Sequence, residues 1–324
     1  MRSLFDIKDG VIVPSQNESA PIVIYMTPDE TERKYLTEKI DITLHDIESA
    51  LDPDEISRVE VTPDYTYIIW KRPNNVSFEQ QLKFEVSSVG LVYQKNRLTL
   101  ILGDNSLPLF NSNDFRKVNT LNSFLLKFLL YTVHHYFGHL KAIRQITSEL
   151  QGKLNISSEN RYLLQMFTLS ESLIYYLNAL EANHAVLTKM RGIAEKIGFS
   201  LDEIEFMEDI MIEHQQCRAQ TEIYSSVLSG LMDARGSVIN NNMNVLLRNL
   251  TIINVVFMPL NLIASIFGMS EYSAMTNHVD LHLAYFVFIM LMVIVGWGTW
   301  LFLTHKMTAV SRSGNISNKH LPRL

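Results

Sequence analysis

The chain has 324 residues, 47% of them hydrophobic, with a formal net charge of −6. That length allows about two domains. Mild acidity without a basic run excludes nucleic acid as the expected partner. One cysteine, Cys217, excludes an internal disulfide framework, and MRSLFDIKDG at the start has no apolar core of a signal peptide.

Residues 1–111 read as a mixed α/β domain. Pro21–Tyr25 (PIVIY) is a short strand. Thr27, Pro28 and Glu30 read as the opening of a helix, with Thr27 as cap, Pro28 in the first turn and Glu30 closing a capping box. A second helix is expected near Leu44–Leu51, stopped by Pro53. Strand-like runs follow at Arg58–Val61, Tyr65–Trp70, Phe84–Tyr93 and Leu98–Leu102.

No proline occurs between Pro108 and Pro259, and the pattern becomes helical. A helical hairpin is expected over 112–199, with one helix from about Asp114 to Gly152 and another from about Ser158 to Gly192. Within it, His134, His135 and His139 offer either a helix-surface metal site or, as is commoner beside tyrosines, ordinary packing. Ser200 and Glu203 form a capping box that starts a third helix, and no clear stop appears before Pro259. Run on to Met269, that helix would be about 100 Å long, more than one small domain can bury. It then implies an oligomer of parallel copies. A break at Gly230 or Gly236 would instead give two ordinary helices.

From Asn249 to His305 there is no Lys or Arg. Leu250–Met269 matches one hydrocarbon thickness, about 30 Å at ~1.5 Å per residue. Leu283–Leu303 is a second, more apolar run, with Trp297 and Trp300 toward its end. Two membrane spans fit better than a buried hairpin. Arg248 precedes the first span, while Lys306, Arg312, Lys319 and Arg323 follow the second. The positive-inside rule puts both termini and the large N-terminal part in the cytoplasm. The segments are thus 200–249 (stalk helix), 250–269 (first span), 270–282 (outer loop), 283–304 (second span) and 305–324 (basic tail).

Around the first span, Asn254, Met258, Asn261, Ser265 and Gly268 lie within about 40° of one line at ~100° per residue. Leu247 and Thr251 lie on or near that line, and it continues down to Asn244. Val256, Leu260, Ile263 and Phe267 occupy the opposite, lipid-like face. Asparagines at such depth need another helix or water. Packing against a helix is one reading. A water-filled path built from copies of the span around a symmetry axis is the other, favoured by the length of the stripe. Neutral oxygens suit a hard cation that keeps much of its own water, as magnesium does. No nucleotide-binding glycine loop or catalytic constellation appears, so neither an enzyme nor an organic cofactor is expected.

Leu250–Ile253, Phe257–Leu260, Ile263-Ala264 and Gly268-Met269 resemble the first membrane helix of the CorA family of magnesium channels. Leu51-Asp52-Pro53, the strand Tyr65–Trp70 and Ser229–Asp233 (SGLMD) resemble further landmarks, so the likeness covers nearly the whole chain. It implies a homopentameric funnel: an α+β membrane protein of a bacterial inner membrane, with a cytoplasmic α/β domain, a helical bundle, a stalk helix and two C-terminal spans. It implies pore rings at Asn261 and Asn244 and a hydrophobic constriction at Met258, Leu250 and Leu247. Gly268, Met269 and Ser270 would form the outer mouth, with Asn254 and Ser265 facing the water inside. Ser270 replaces the asparagine of the family's Gly-Met-Asn signature, which opens two alternatives. One is a carrier of zinc, cobalt or nickel with the same fold, and the other is a scaffold or sensor that has lost transport. The resemblance also implies a regulatory magnesium site, with Asp209 at the stalk position and its partner near Asn75; Glu208 and Glu79 are adjacent candidates. Partners are further copies of the chain, membrane lipids and divalent cations.

Overall fold

The computed structural model describes residues 1–74, 83–104, 115–156, 160–269 and 280–317. Two compact units are formed, Met1–Met232 and Asp233–Leu324.

The first unit is built on seven strands: β1 (Arg2–Lys8), β2 (Val11–Ser15), β3 (Ile22–Met26), β4 (Arg58–Val61), β5 (Thr66–Pro73), β6 (Val86–Gln94) and β7 (Arg97–Leu102). Their order in the sheet is β2-β1-β3-β7-β6-β5-β4. The β3–β7 pair is parallel, with Ile24 opposite Leu100, and the other pairs are antiparallel. All five residues of β3 are buried, as expected of a strand covered on both faces.

Side-chain alternation sorts the strands between two cores. Val23, Tyr25, Tyr67, Ile69, Val92 and Ile101 pack with Leu36, Ile40, Ile47 and Ala50 from α1 (Glu30–Ile40) and α2 (Leu44–Leu51). Ile22, Ile24, Ile68, Trp70, Leu91 and Leu100 point the other way. They meet α3 (Leu121–Ile156), α4 (Asn160–Ile193) and the start of α5 (Leu201–Phe267) through Phe124, Phe128, Val186, Leu187, Met207 and Ile210. The sheet and the helices after it, read from sequence as successive segments, therefore share one core. The outer parts of α3 and α4, with a stretch of α5, form a second core around Tyr136, Tyr176, Leu173 and Cys217.

Several expectations are corrected. Residues 2–15 form a hairpin that strand signals at Pro21 and beyond did not include. Its two-residue turn is Asp9-Gly10, with φ of 50° and 74° at the two positions. Thr27 does not cap α1. It sits at φ 41°, and its N–H bonds to Leu102 O at 2.8 Å, joining the sheet. The cap is Asp29, which accepts from Glu32 N at 2.8 Å while Glu32 Oε2 accepts from Asp29 N at 3.2 Å. The capping box is thus displaced two residues. The helix expected from Asp114 begins at Leu121.

The third helix behaves as its capping box implies. Glu203 accepts from Ser200 N at 2.9 Å and its own N–H donates to Ser200 Oγ at 3.3 Å. The helix then continues for 67 residues, through Gly230, Gly236 and Pro259. A break at either glycine is excluded.

Candidate functional site

Two described helices are long and apolar enough to cross a membrane: α5, through its C-terminal part, and α6 (Leu281–Ser317), through His282–Leu303. Neither apolar stretch is buried within the chain. Such helices satisfy their backbone polar groups internally, as hydrocarbon requires.

The two spans form an antiparallel pair. Phe267 and Phe288 rings lie 4.7 Å apart, and one turn and more away Leu260 Cδ1 lies 3.5 Å from where a Cβ on Gly296 would project. Val256 and Leu260 share a groove with Met292, Val293, Gly296, Trp297 and Trp300. The apolar face of the first span is therefore partly covered by the second, rather than given wholly to lipid. Gly296 was not singled out in the sequence; a glycine inside an apolar span is the signal that marks such a close approach.

That contact leaves the polar stripe outward. Asn244, Asn254, Asn261, Ser265 and Gly268 are exposed, as are Leu247, Leu250 and Met258, the last at 76%. Thr251 keeps its hydroxyl on the helix, donating to Leu247 O at 2.8 Å. One chain presents this line without enclosing it. Gly268 closes the last turn, its N–H bonded to Ala264 O at 3.0 Å, and Met269 bonds Ile266 O at 3.2 Å. The chain thus turns out of the helix where the outer mouth was expected, and Met269 is 54% exposed. Ser270 lies outside the described residues, as do Asn75 and Glu79.

The regulatory candidates separate. Glu208 is bound to Arg191 of α4 at 2.7 Å, whereas Asp209 is exposed and makes no ion pair among the described residues. One carboxylate is far short of the six oxygens a hard cation takes, so Asp209 alone does not build a site. The histidines pack. His134 Nε2 lies 2.9 Å from Glu213 Oε2, and His139 Nδ1 lies 2.5 Å from the Tyr176 hydroxyl with His135 against its ring. Burial, with His135 beside it, lowers the His139 pKa to about 4. No group of three His, Cys, Asp or Glu side chains among the described residues is placed to hold a metal.

A covered sheet unit, a continuous 67-residue helix and an apolar helical pair define a two-span membrane protein with a large N-terminal α/β unit. Its family follows from comparison. The family model described as "CorA-like Mg2+ transporter protein" matches residues 19–306, and the chain belongs to that family. The cobalt/magnesium transport protein CorA of Methanocaldococcus jannaschii is 27% identical over 288 residues, covering 84% of this chain and 89% of the relative. The fold matches the complete structure of the CorA magnesium transporter from the same organism with a TM-score of 0.73 at 23% identity, over 94% of this chain and 96% of that one. It also matches the full-length CmaX protein, with a TM-score of 0.70 at 11% identity, over 94% and 97% of the two chains.

Proposed function

We propose that this protein moves divalent cations, magnesium foremost, through a pore lined by the first span of several copies of the chain. The observation that carries this reading is the two-sided character of that span. Leu260 and Phe267 pack on the second helix, while Asn254, Asn261 and Ser265 stay uncovered on the other side. Asparagines left toward hydrocarbon are unfavourable; turned toward a shared axis they are hydrated. A homopentamer, as in the family resemblance, satisfies this. Asn244, Asn254 and Asn261 then form polar rings, and Met258, Leu250 and Leu247 form a constriction that gates by excluding water. Gly268, Met269 and Ser270 form the outer mouth. The stripe has no charge, so the ion is held through its hydration shell, weakly enough to leave.

Both termini lie in the cytoplasm and the span crosses the inner membrane, in keeping with Arg248 and the basic tail. Magnesium also acts on the cytoplasmic side, where Asp209 meets carboxylates of a neighbouring chain, Glu79 among them. Glu208 is neutralised by Arg191 and contributes less. The serine at position 270 supports a second reading in which zinc, cobalt or nickel is the cargo, because a shorter hydroxyl replaces an amide at the mouth.

Uptake into liposomes containing the purified protein, with magnesium, zinc, cobalt and nickel offered separately, tests both readings. Saturable magnesium entry is the expected result. Entry of another metal without magnesium would establish the second reading. Absence of any flux, with flux gained on Ser270→Asn, would mean a scaffold whose pore has been disabled.

A further inference from the structure

The groove between α5 and α6 is a second site in the membrane unit, distinct from the polar stripe and on the opposite face of the first span. It measures about 520 Å³ and is lined by Val256, Leu260, Met292, Val293, Gly296, Trp297 and Trp300. That volume falls within the ~300–1,000 Å³ of ordinary ligand sites. Its lining offers no ionisable group. Gly296 creates the notch, because it places no side chain between the helices opposite Leu260. Trp297 is 65% exposed and Trp300 49%, so both indoles stand at the open side. Both helices that line it are long and apolar enough to cross a membrane, so in a bilayer the groove would face hydrocarbon.

What distinguishes it from a plain lipid-facing seam is its end. The helices are antiparallel, so the end of the groove at Val256 and Trp300 points toward the start of the first span and the close of the second. Arg248 stands eight residues before Val256, about 12 Å along the axis, and Lys306 six residues after Trp300, about 9 Å. His305 adjoins it and Arg312 follows. No Asp or Glu occurs in 234–269 or 281–324 to offset them. An apolar slot, an indole pair and an uncompensated basic end are the parts an anionic phospholipid needs. Basic pockets between membrane helices bind such head groups, and indoles settle at head-group level.

We propose that this groove is a binding site for an anionic phospholipid of the surrounding bilayer. One acyl chain lies along Gly296 between Leu260 and Trp297, and the phosphodiester is held by Arg248, which is exposed. The site rests on the two helices lying in a membrane and not on which ion the protein carries.

The protein's tryptophans make the test direct. Trp70 is fully buried in the sheet unit, hydrogen-bonded to Thr132, so a quencher on a lipid chain reads Trp297 and Trp300 alone. The full-length protein is reconstituted without a cation gradient in phosphatidylcholine vesicles. These carry a small fraction of either phosphatidylglycerol or phosphatidylcholine with brominated acyl chains. The expected result is quenching by the anionic lipid at roughly fivefold lower mole fraction than by the zwitterionic one, as one basic contact supplies. Gly296→Leu fills the notch and abolishes the difference; Arg248→Gln removes it without touching the helix contact. Gly296→Ala, whose Cβ would meet Leu260 Cδ1 at an ordinary 3.5 Å, retains it. Equal quenching by the two lipids, or a preference that survives both Gly296→Leu and Arg248→Gln, overturns the proposal. Quenching by neither would mean that another chain covers the groove, and overturns it as well. Because no ion flux is read, the outcome is independent of the cargo.

Discussion

Asn183 fastens α4 to the backbone of Lys71. Its Oδ1 accepts from Lys71 N at 2.9 Å and its Nδ2 donates to Lys71 O at 2.8 Å, with both groups buried. The strand β4 ends its pairing with β5 at Arg58 opposite Ile69, so Lys71 has lost its neighbour strand on that side. The side-chain amide continues the ladder in place of a backbone amide, and Ser57 Oγ completes it by donating to Oδ1 at 2.8 Å. Asn183→Leu leaves a buried N–H, a carbonyl and a hydroxyl without partners, each costing about 1–3 kcal/mol. We expect a total loss of roughly 3 kcal/mol or more, measured as a lower urea midpoint of the sheet unit's near-ultraviolet dichroism. Asn183→Asp keeps one acceptor and loses the donor, and should do no better. A variant as stable as the parent would show that the bridge is dispensable.

A second close approach fixes the other face of the sheet. A Cβ at Gly90 would stand 2.5 Å from Ala50 Cβ and 3.2 Å from the Tyr67 hydroxyl oxygen. Gly90 faces Ile69 and Ile101 in its two ladders, so it cannot shift without disturbing three strands. Overpacking of this kind costs about 1–3 kcal/mol. Gly90→Ala should therefore lower the midpoint. Ala50→Gly alone should also destabilise, by about 1 kcal/mol for a glycine within α2. Together they should be more stable than Gly90→Ala alone. If the two losses merely add, α2 does not rest on Gly90.

Histidine burial makes stability depend on pH. Burial lowers the His214 pKa to about 3, with His184 and Arg218 adding to it, and lowers that of His139 to about 4. Both folded values lie below the ordinary 6.5, so below pH 6.5 the unfolded chain binds more protons than the folded one. Stability then falls as pH drops from about 6.5 toward 4, by up to about 1.4 kcal/mol per unit for each histidine, and is unaffected by them above that range. Urea titrations at pH 7, 6 and 5 check this. His214→Gln should flatten the profile, and an unchanged slope would assign the loss to other groups.

How far the sequence carried depended on the kind of signal. The long α5 was legible because Ser200 and Glu203 announce its start and nothing stops it before the end of the apolar run; the structure adds only that Gly230 and Gly236 do not break it. The polar stripe was legible because helical periodicity is a property of one element. What lay opposite it was not, since a face of Val256, Leu260 and Phe267 suits lipid and a partner helix equally. The contact with Gly296 decides between them. The displaced cap of α1 has the same origin. Thr27 and Asp29 are both good caps, and the choice falls to Asp29 because Leu102 of a strand far along the chain takes the Thr27 N–H. The hairpin at 2–15 carried its turn signal in Asp9-Gly10, but RSLFDIK alternates imperfectly, and β1 is half-buried along nearly all its length beside the edge strand β2.

The stripe itself yields the last prediction. If Asn254 and Asn261 face water at a shared axis, removing their amides raises the barrier to a hydrated ion. Asn261→Leu should lower magnesium uptake at least tenfold, the equivalent of about 1.4 kcal/mol on the barrier, and Asn254→Leu should act in the same direction. Leu262 is 64% exposed but lies about 100° away from Asn261 around the helix. Leu262→Ala should leave uptake within about twofold, since a loss of tenfold is what the barrier argument reserves for stripe positions. Met258→Ala, at the expected constriction, should raise uptake by widening a stretch that excludes water. These signs separate a pore from helix packing. Were the asparagines only packing groups, Asn261→Leu and Leu262→Ala would lower the amount of assembled protein alike, read by crosslinking, and the uptake per assembled protein would not change.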